Sequence, residues 1–177
     1  MVEVLVSIVL ASFALLALAG VNAASLRYTK MAQYRATATQ LANDLGERMR
    51  ANKGVSSPTA TGFFAGAYNY TTDFAGQATA PSLPTQRCDT AASTCTAAEI
   101  ATLDLLQWRL LVRDQLPQGS VFLRQQASQV AMDVWVVWRD PAVANVDESP
   151  ALAAECPDSL NRGTDLSIRC SYFRINL

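Results

Sequence analysis

The first 24 residues, Met1 to Ala24, form one apolar run broken by a single charge, Glu3. A run of this length crosses a bilayer as a helix, at about 1.5 Å per residue over roughly 30 Å of hydrocarbon. A carboxylate inside it costs about 2.5–3.5 kcal/mol on insertion scales. A plain anchor has no use for such a group. Glu3 therefore calls for a positive partner. One candidate is the α-amino group of a neighbouring subunit, where low dielectric makes pairing strong and specific for register. A second reading puts Glu3 at the headgroups, as the polar flank of a transmembrane helix. A third is a cleavable signal peptide, with Val4 to Ala19 as its apolar region and Ala23-Ala24 near its cleavage site. That segment carries Glu3 and no Lys or Arg at its start, which is the wrong sign for a signal peptide.

The run does not end in a turn. No Pro occurs before Pro58, and Gly20 and Gly46 are the only glycines before Gly54. Ala is abundant, which favours helix. From Tyr34 onward, Tyr34, Ala38, Leu41, Leu45 and Met49 recur at spacings of three and four, which places them on one face. Asp44 and Arg48 stand at i,i+4, and Asn52-Lys53-Gly54 offers a stop. The spacing predicts one helix of about 50 residues, roughly 75 Å long. Residues 1–24 form its transmembrane half and 25–53 its amphipathic half, with a globular head over 54–177.

Charge and cysteine content narrow the compartment and the chemistry. Residues 1–53 carry a net +3 and residues 54–177 a net −4. No basic stripe with interleaved aromatics occurs, so nucleic acid is not an expected partner. The chain has no His. That excludes a Ser-His-Asp triad, a Cys-His dyad and zinc sites that use His. With no Gly-rich phosphate loop and no convergent carboxylate pair, neither an enzyme nor a cofactor is expected. The four cysteines, Cys88, Cys95, Cys156 and Cys170, form no CxxC. Behind a membrane-targeting segment they predict disulfides in an oxidising compartment. Of the three possible pairings, the short-range set Cys88–Cys95 and Cys156–Cys170 is favoured. Arg27, Lys30 and Arg35 directly follow the apolar run, which by the positive-inside rule opposes that compartment. A basic leader ahead of Met1 resolves the conflict.

The head reads as α+β. Residues 54–96 form a connection rich in Gly, Ser, Thr, Ala and Pro, with Phe63, Phe64, Tyr68, Tyr70 and Phe74 among them. It is too long to lack structure, so it is expected to pack on the core or to serve as an interaction surface. Thr96 and Glu99 form a capping box opening a helix through about Gln115, with Ile100, Leu103, Leu106, Leu110 and Leu111 inward. Pro117 and Gly119 end it. Val121 to Arg124 reads as a short strand. Gln129 to Arg139 is the strongest strand, with Val130, Met132, Val134, Val136 and Trp138 on one face and Ala131, Asp133, Trp135 and Val137 on the other. Leu166 to Leu177 reads as the last. The tryptophans Trp108, Trp135 and Trp138 suit a core or a subunit interface better than a ligand platform. Asp133 beside Trp135 is a lone carboxylate, and Asp147, Glu148, Glu155 and Asp158 fit a solvated loop and no EF-hand.

The segment Met1-Val2-Glu3-Val4-Leu5-Val6-Ser7-Ile8-Val9-Leu10 resembles the N-terminus of type IV pilins. In that family a peptidase removes a short basic leader ending in Gly, leaving an N-methylated Phe followed by Thr-Leu-Ile-Glu-Val. Val2, Glu3 and Val4 match the Ile-Glu-Val stretch, and Met1 stands about where the Leu belongs. The leader, Gly, Phe and Thr are therefore expected ahead of Met1. Leu41 to Asp44, Glu47 to Asn52, Trp108 to Gly119 and Val134 to Trp138 resemble the PilV minor pilins, the type IV pilus modification proteins. The resemblance implies a pilin-like fold in which Val2, Val4 and Leu5, with Tyr34, Leu41, Leu45 and Met49, pack the helix. It also implies assembly through Glu3 and the amine of the adjacent subunit. The implied partners are other minor pilins, the major pilin, a tip adhesin, the inner membrane before assembly and the prepilin peptidase. A minor pseudopilin of type II secretion shares this N-terminus. A periplasmic binding module, with a signal peptide or a single-helix tether and the 57–87 loop as its surface, belongs to a different class.

Overall fold

A computed structural model of the chain describes residues 1–56, 59–85, 87–90, 92–126, 129–141 and 155–177. The fold is α+β. A long helix α1 (Val2–Ala51) and a second helix α2 (Ala97–Gln115) precede strands β1 (Ser120–Gln126), β2 (Ala131–Arg139) and β3 (Ile168–Asn176). The chain divides into two compact units, Met1–Arg35 and Ala36–Leu177. The sequence places the head boundary at the helix end, residue 53. The contacts place it inside α1, because residues from Ala38 onward lie in the head's own core.

Within the second unit, α1 buries Ala38, Leu41, Ala42, Leu45, Gly46 and Met49. This is the three-and-four stripe expected of a helix packed on one side. Gly46 permits a close approach: a Cβ there would stand 3.4 Å from Ile175 Cγ2 on β3. The Asp44–Arg48 pair forms at 3.0 Å. Arg48, Tyr68 and Asn52 then extend it into a polar lock. Tyr68 Oη donates to Asp104 Oδ2 at 2.7 Å, and Asn52 Nδ2 donates to Tyr68 Oη and to the Ala97 carbonyl. Burial, then the Asp104 carboxylate, pushes the Tyr68 hydroxyl well above its ordinary range. The connection before α2 is thus bolted to both helices.

The capping box is present at the start of α2: Thr96 Oγ1 accepts from Glu99 N, and Glu99 Oε2 accepts from Thr96 N at 2.8 Å. The helix ends where expected, and a Cβ at Gly119 would lie 2.2 Å from the Val112 carbonyl oxygen. Its inward face differs from the expected one. Ala101, Leu103, Leu105, Trp108 and Val112 are buried, while Ile100, Leu106, Leu110 and Leu111 are only half-buried. Trp108 decides the rotation. It is fully buried and its Nε1 donates to the Leu41 carbonyl at 2.8 Å.

The sheet is antiparallel in the order β1-β2-β3. Its register aligns Phe122, Trp135 and Tyr172 across the three strands, and likewise Leu123, Val134 and Phe173. The central strand is buried on both faces up to Trp138. Val130, expected inside this strand, lies before it and is exposed. Strand β1 is longer than expected, because Gln125 and Gln126 pair with Met132 and Ala131. The long connection packs on the core. Phe63 and Tyr68 are fully buried, and Tyr70 bridges to Leu123 at the outer edge of β1.

Both short-range disulfides form, Cys88–Cys95 and Cys156–Cys170. Cys170 belongs to a cluster with Phe122, Trp135, Val137, Leu160 and Ile168, against which Phe74 and Cys156 pack. The second bridge therefore clamps the 155–160 segment over one sheet face. Closing a loop of this size stabilises by about 3 kcal/mol in the chain-entropy view. The double substitution Cys156→Ser, Cys170→Ser is expected to lower the unfolding free energy by about that amount. Denaturant titration of the full chain in detergent micelles measures it.

Candidate functional site

The first unit, Met1–Arg35, is one exposed helical segment. Val2, Val4, Leu5, Val6, Ile8, Val9, Leu10, Phe13, Leu15, Leu16, Leu18 and Val21 are all more than half exposed. The helix that carries them is long and apolar enough to cross a membrane. Side chains of this kind all round a helix require a non-aqueous surrounding. Three of the hydroxyls in this unit bond back within the helix, Ser7 to the Glu3 carbonyl, Ser12 to that of Ile8 and Thr29 to that of Ser25. That is the back-bonding an apolar medium demands. Glu3 lies in the first turn and is exposed, with Val2 and Val4 beside it. Its carboxylate cannot be satisfied that way, since it accepts hydrogen bonds and donates none when ionised.

The residues singled out from the sequence therefore separate by role. Val2, Val4 and Leu5 bury nothing within the chain, whereas Leu41, Leu45 and Met49 are buried in the head. Tyr34 is half-buried. The first three stay exposed; the last three hold the head on its helix.

The head carries a site that local pattern did not reveal. On the sheet face shared by Asp133, Trp135 and Tyr172, the Asp133 Oδ1 accepts from Tyr172 Oη at 2.7 Å and Arg174 Nε at 3.0 Å. Its Oδ2 accepts from Gln126 Nε2. The Arg124 guanidinium stands 5.6 Å over the Trp135 ring, whose centroid is 5.0 Å from that of Tyr172. Burial opposes ionisation of Asp133, but the bonds from Tyr172, Arg174 and Gln126 outweigh it and hold the carboxyl below its ordinary value. Such a carboxylate is a fixed anchor for its neighbours and a poor proton shuttle at neutral pH.

The sign of the pH effect follows. A depressed folded pKa gives stability that is complete above the unfolded value, about 3.9, and is lost as pH falls through the folded one. Asp133→Asn is expected to be less stable than the parent at pH 7. The gap should close as pH drops below about 4. Denaturant midpoints at pH 7, 5 and 3 check this, and a gap that stays constant with pH would refute the role given to the charge.

Asp147 and Glu148 lie outside the described residues. Of the other two acidic residues of that loop, Glu155 Oε2 stands 3.8 Å from the buried Arg169 Nη2. Among the described residues no cluster of His, Cys, Asp or Glu is suited to hold a metal ion. An open cleft of about 580 Å³ beside Phe64, Asn69, Gln125 and Gln129 presents amide and aromatic groups. A second cavity, of about 410 Å³, lies between Phe74, Arg113 and Arg139. No protein-family model, curated protein or solved structure matches this chain.

Proposed function

We propose that this chain is a minor subunit of a type IV pilus, similar to the PilV minor pilins. In this reading it has a pilin-like architecture and works without enzymatic activity. It inserts in the inner membrane through its N-terminal helix, with the head in the periplasm, and passes into the filament near its tip. Other minor pilins, the major pilin and a tip adhesin are its partners there, and a prepilin peptidase matures its precursor. It supports pilus initiation, and through it adhesion and twitching motility.

The observation that carries this reading is the continuity of α1 from Val2 to Ala51. Its first part exposes apolar side chains around one carboxylate, and its last turns are the core of a disulfide-bonded head. A tether needs only a span and a linker. Here one helix supplies both the apolar segment and buried residues of the head.

Mass spectrometry of the mature protein tests the reading. A pilin subunit retains the whole apolar segment and bears an N-methyl group just upstream of Met1. Cleavage near Ala24 would overturn the proposal and leave a released periplasmic module in its place.

A further inference from the structure

We infer that the cavity between Phe74, Arg113 and Arg139 is a binding site for a carboxylate carried on a short apolar stem. The inference concerns the head alone and does not depend on the pilus reading.

The walls of the cavity are built and fixed. Its floor is Gln77, which is buried. Gln77 Nε2 donates to the carbonyls of Thr72 and Val121 at 2.9 Å each, and its Oε1 accepts from Val121 N at 3.0 Å. This stitches the 72–78 segment to β1. Phe74, Ala75 and Ala78 supply an apolar wall. The volume, about 410 Å³, lies in the range of small-molecule sites.

The charge on those walls is positive and rigid. Arg113 donates from Nη1 to the Gln77 carbonyl at 2.6 Å and from Nη2 to the Ala78 carbonyl at 2.9 Å. Carbonyls orient a guanidinium without neutralising it. Among the described residues no carboxylate pairs with Arg113, and three of its five N–H donors remain for a ligand. Arg139 Nε donates to Gln118 Oε1 at 2.7 Å, and its Nη1 donates to Asp165 Oδ2 at 2.7 Å and Ser167 Oγ at 2.8 Å. Its guanidinium lies 5.8 Å from the Phe74 ring centroid. Arg109, one turn from Arg113 on α2, adds a further positive charge and lies on the Tyr70 ring at 4.0 Å. Arg139 is paired with the Asp165 carboxylate, whereas Arg113 is held by carbonyls.

Backbone strain marks the same place. Gln118 is a non-glycine residue with φ of 49°. A residue held in the left-handed region costs energy that the surroundings must enforce, and such residues gather at functional sites. Here the strained residue is the one that aims Arg139. Two oriented guanidiniums flanking an apolar wall match a planar carboxylate with a small aliphatic body. That chemistry belongs to a free aliphatic or N-acylated amino acid and to the C-terminal residue of a polypeptide.

The test uses the full chain in detergent micelles, labelled for observation of arginine Nε–Hε signals. The probes are N-acetyl-leucine, the peptide Ala-Ala-Ala-Leu, and the carboxamide of each. Saturable shifts of the Arg113 and Arg139 signals with the acids, and none with the carboxamides, are expected. Tighter binding of the peptide identifies a chain terminus as the occupant; tighter binding of the single residue identifies a free small acid. Arg113→Gln should weaken binding by about tenfold or more, the loss of a charge-assisted contact. Ala78→Phe, which fills the cavity from its exposed wall and leaves both guanidiniums, should abolish the shifts. Equal shifts from acids and carboxamides, shifts that do not saturate, or full binding by Ala78→Phe would overturn the inference.

Discussion

On the pilus reading proposed above, Glu3→Val is expected to leave the head folded and to reduce incorporation into filaments by about a hundredfold or more. Glu3 is exposed, in the first turn of the unit Met1–Arg35. No core residue of the head lies in that unit, so near-ultraviolet circular dichroism and denaturant midpoint should match the parent. In an assembled apolar core, however, the substitution strands the amine that Glu3 would pair. Breaking a buried charge pair by removal of one member costs about 3–5 kcal/mol. Glu3→Asp keeps the charge on a shorter stem and should fall between. Counting filaments by electron microscopy in a strain lacking the native copy measures the effect. Parental piliation in the Glu3→Val strain would remove Glu3 from the assembly argument.

Trp108→Ala is expected to be the most damaging single change in the head, at about 3–5 kcal/mol of unfolding free energy. The indole is fully buried, and it ties α2 to α1 through the Leu41 carbonyl. Removing it deletes packing on two helices and leaves a cavity the backbone cannot close. Trp108→Phe separates the two contributions. It keeps most of the ring volume and loses the Nε1 bond, so it should cost about 1–2 kcal/mol, including the smaller ring. Denaturant unfolding of both variants in micelles gives the comparison. Equal losses would mean that the hydrogen bond, and not the packing, carries the contribution of Trp108.

These two residues differ in how readable they were. Glu3 stands out because a charge inside an apolar run is a local anomaly, visible without any partner. The buried stripe of α1, the capping box, the end of α2 at Gly119 and the strand over residues 131–139 are local in the same sense. Each depends on residues a few positions apart, at the period of its own element. The disulfides were accessible by the same logic, since both join cysteines close in sequence. Trp108 was visible as a large apolar residue, but the direction it faces was not. Leu106 and Leu110 fit the helical period as well as Leu105 and Val112 do, and only the Leu41 carbonyl opposite the indole favours one rotation.

The two sites on the head lie further from local pattern. Asp133 reads as a lone carboxylate until the strand register sets Arg174 directly opposite it. Tyr172 and Gln126 then arrive from two other strands. The cavity at Arg113 draws its wall from the connection before α2, its charges from α2 and β2, and its strained hinge from the turn between α2 and β1. The acidic residues Asp165 and Asp133 both pair with arginines, one on β2 and one on β3. Composition alone would have paired neither.

The sequence by itself determined that this chain begins as an apolar helix with one carboxylate, continues as a packed helix and ends in an α+β head. Those properties follow from side-chain period and from the free energy of placing apolar groups and charges in or out of water. Tertiary structure alone decided where the packed part of α1 begins, which face of α2 turns inward, and which charges meet. Those outcomes depend on contacts between residues dozens of positions apart, where a shift of one residue in register exchanges the two faces of a strand.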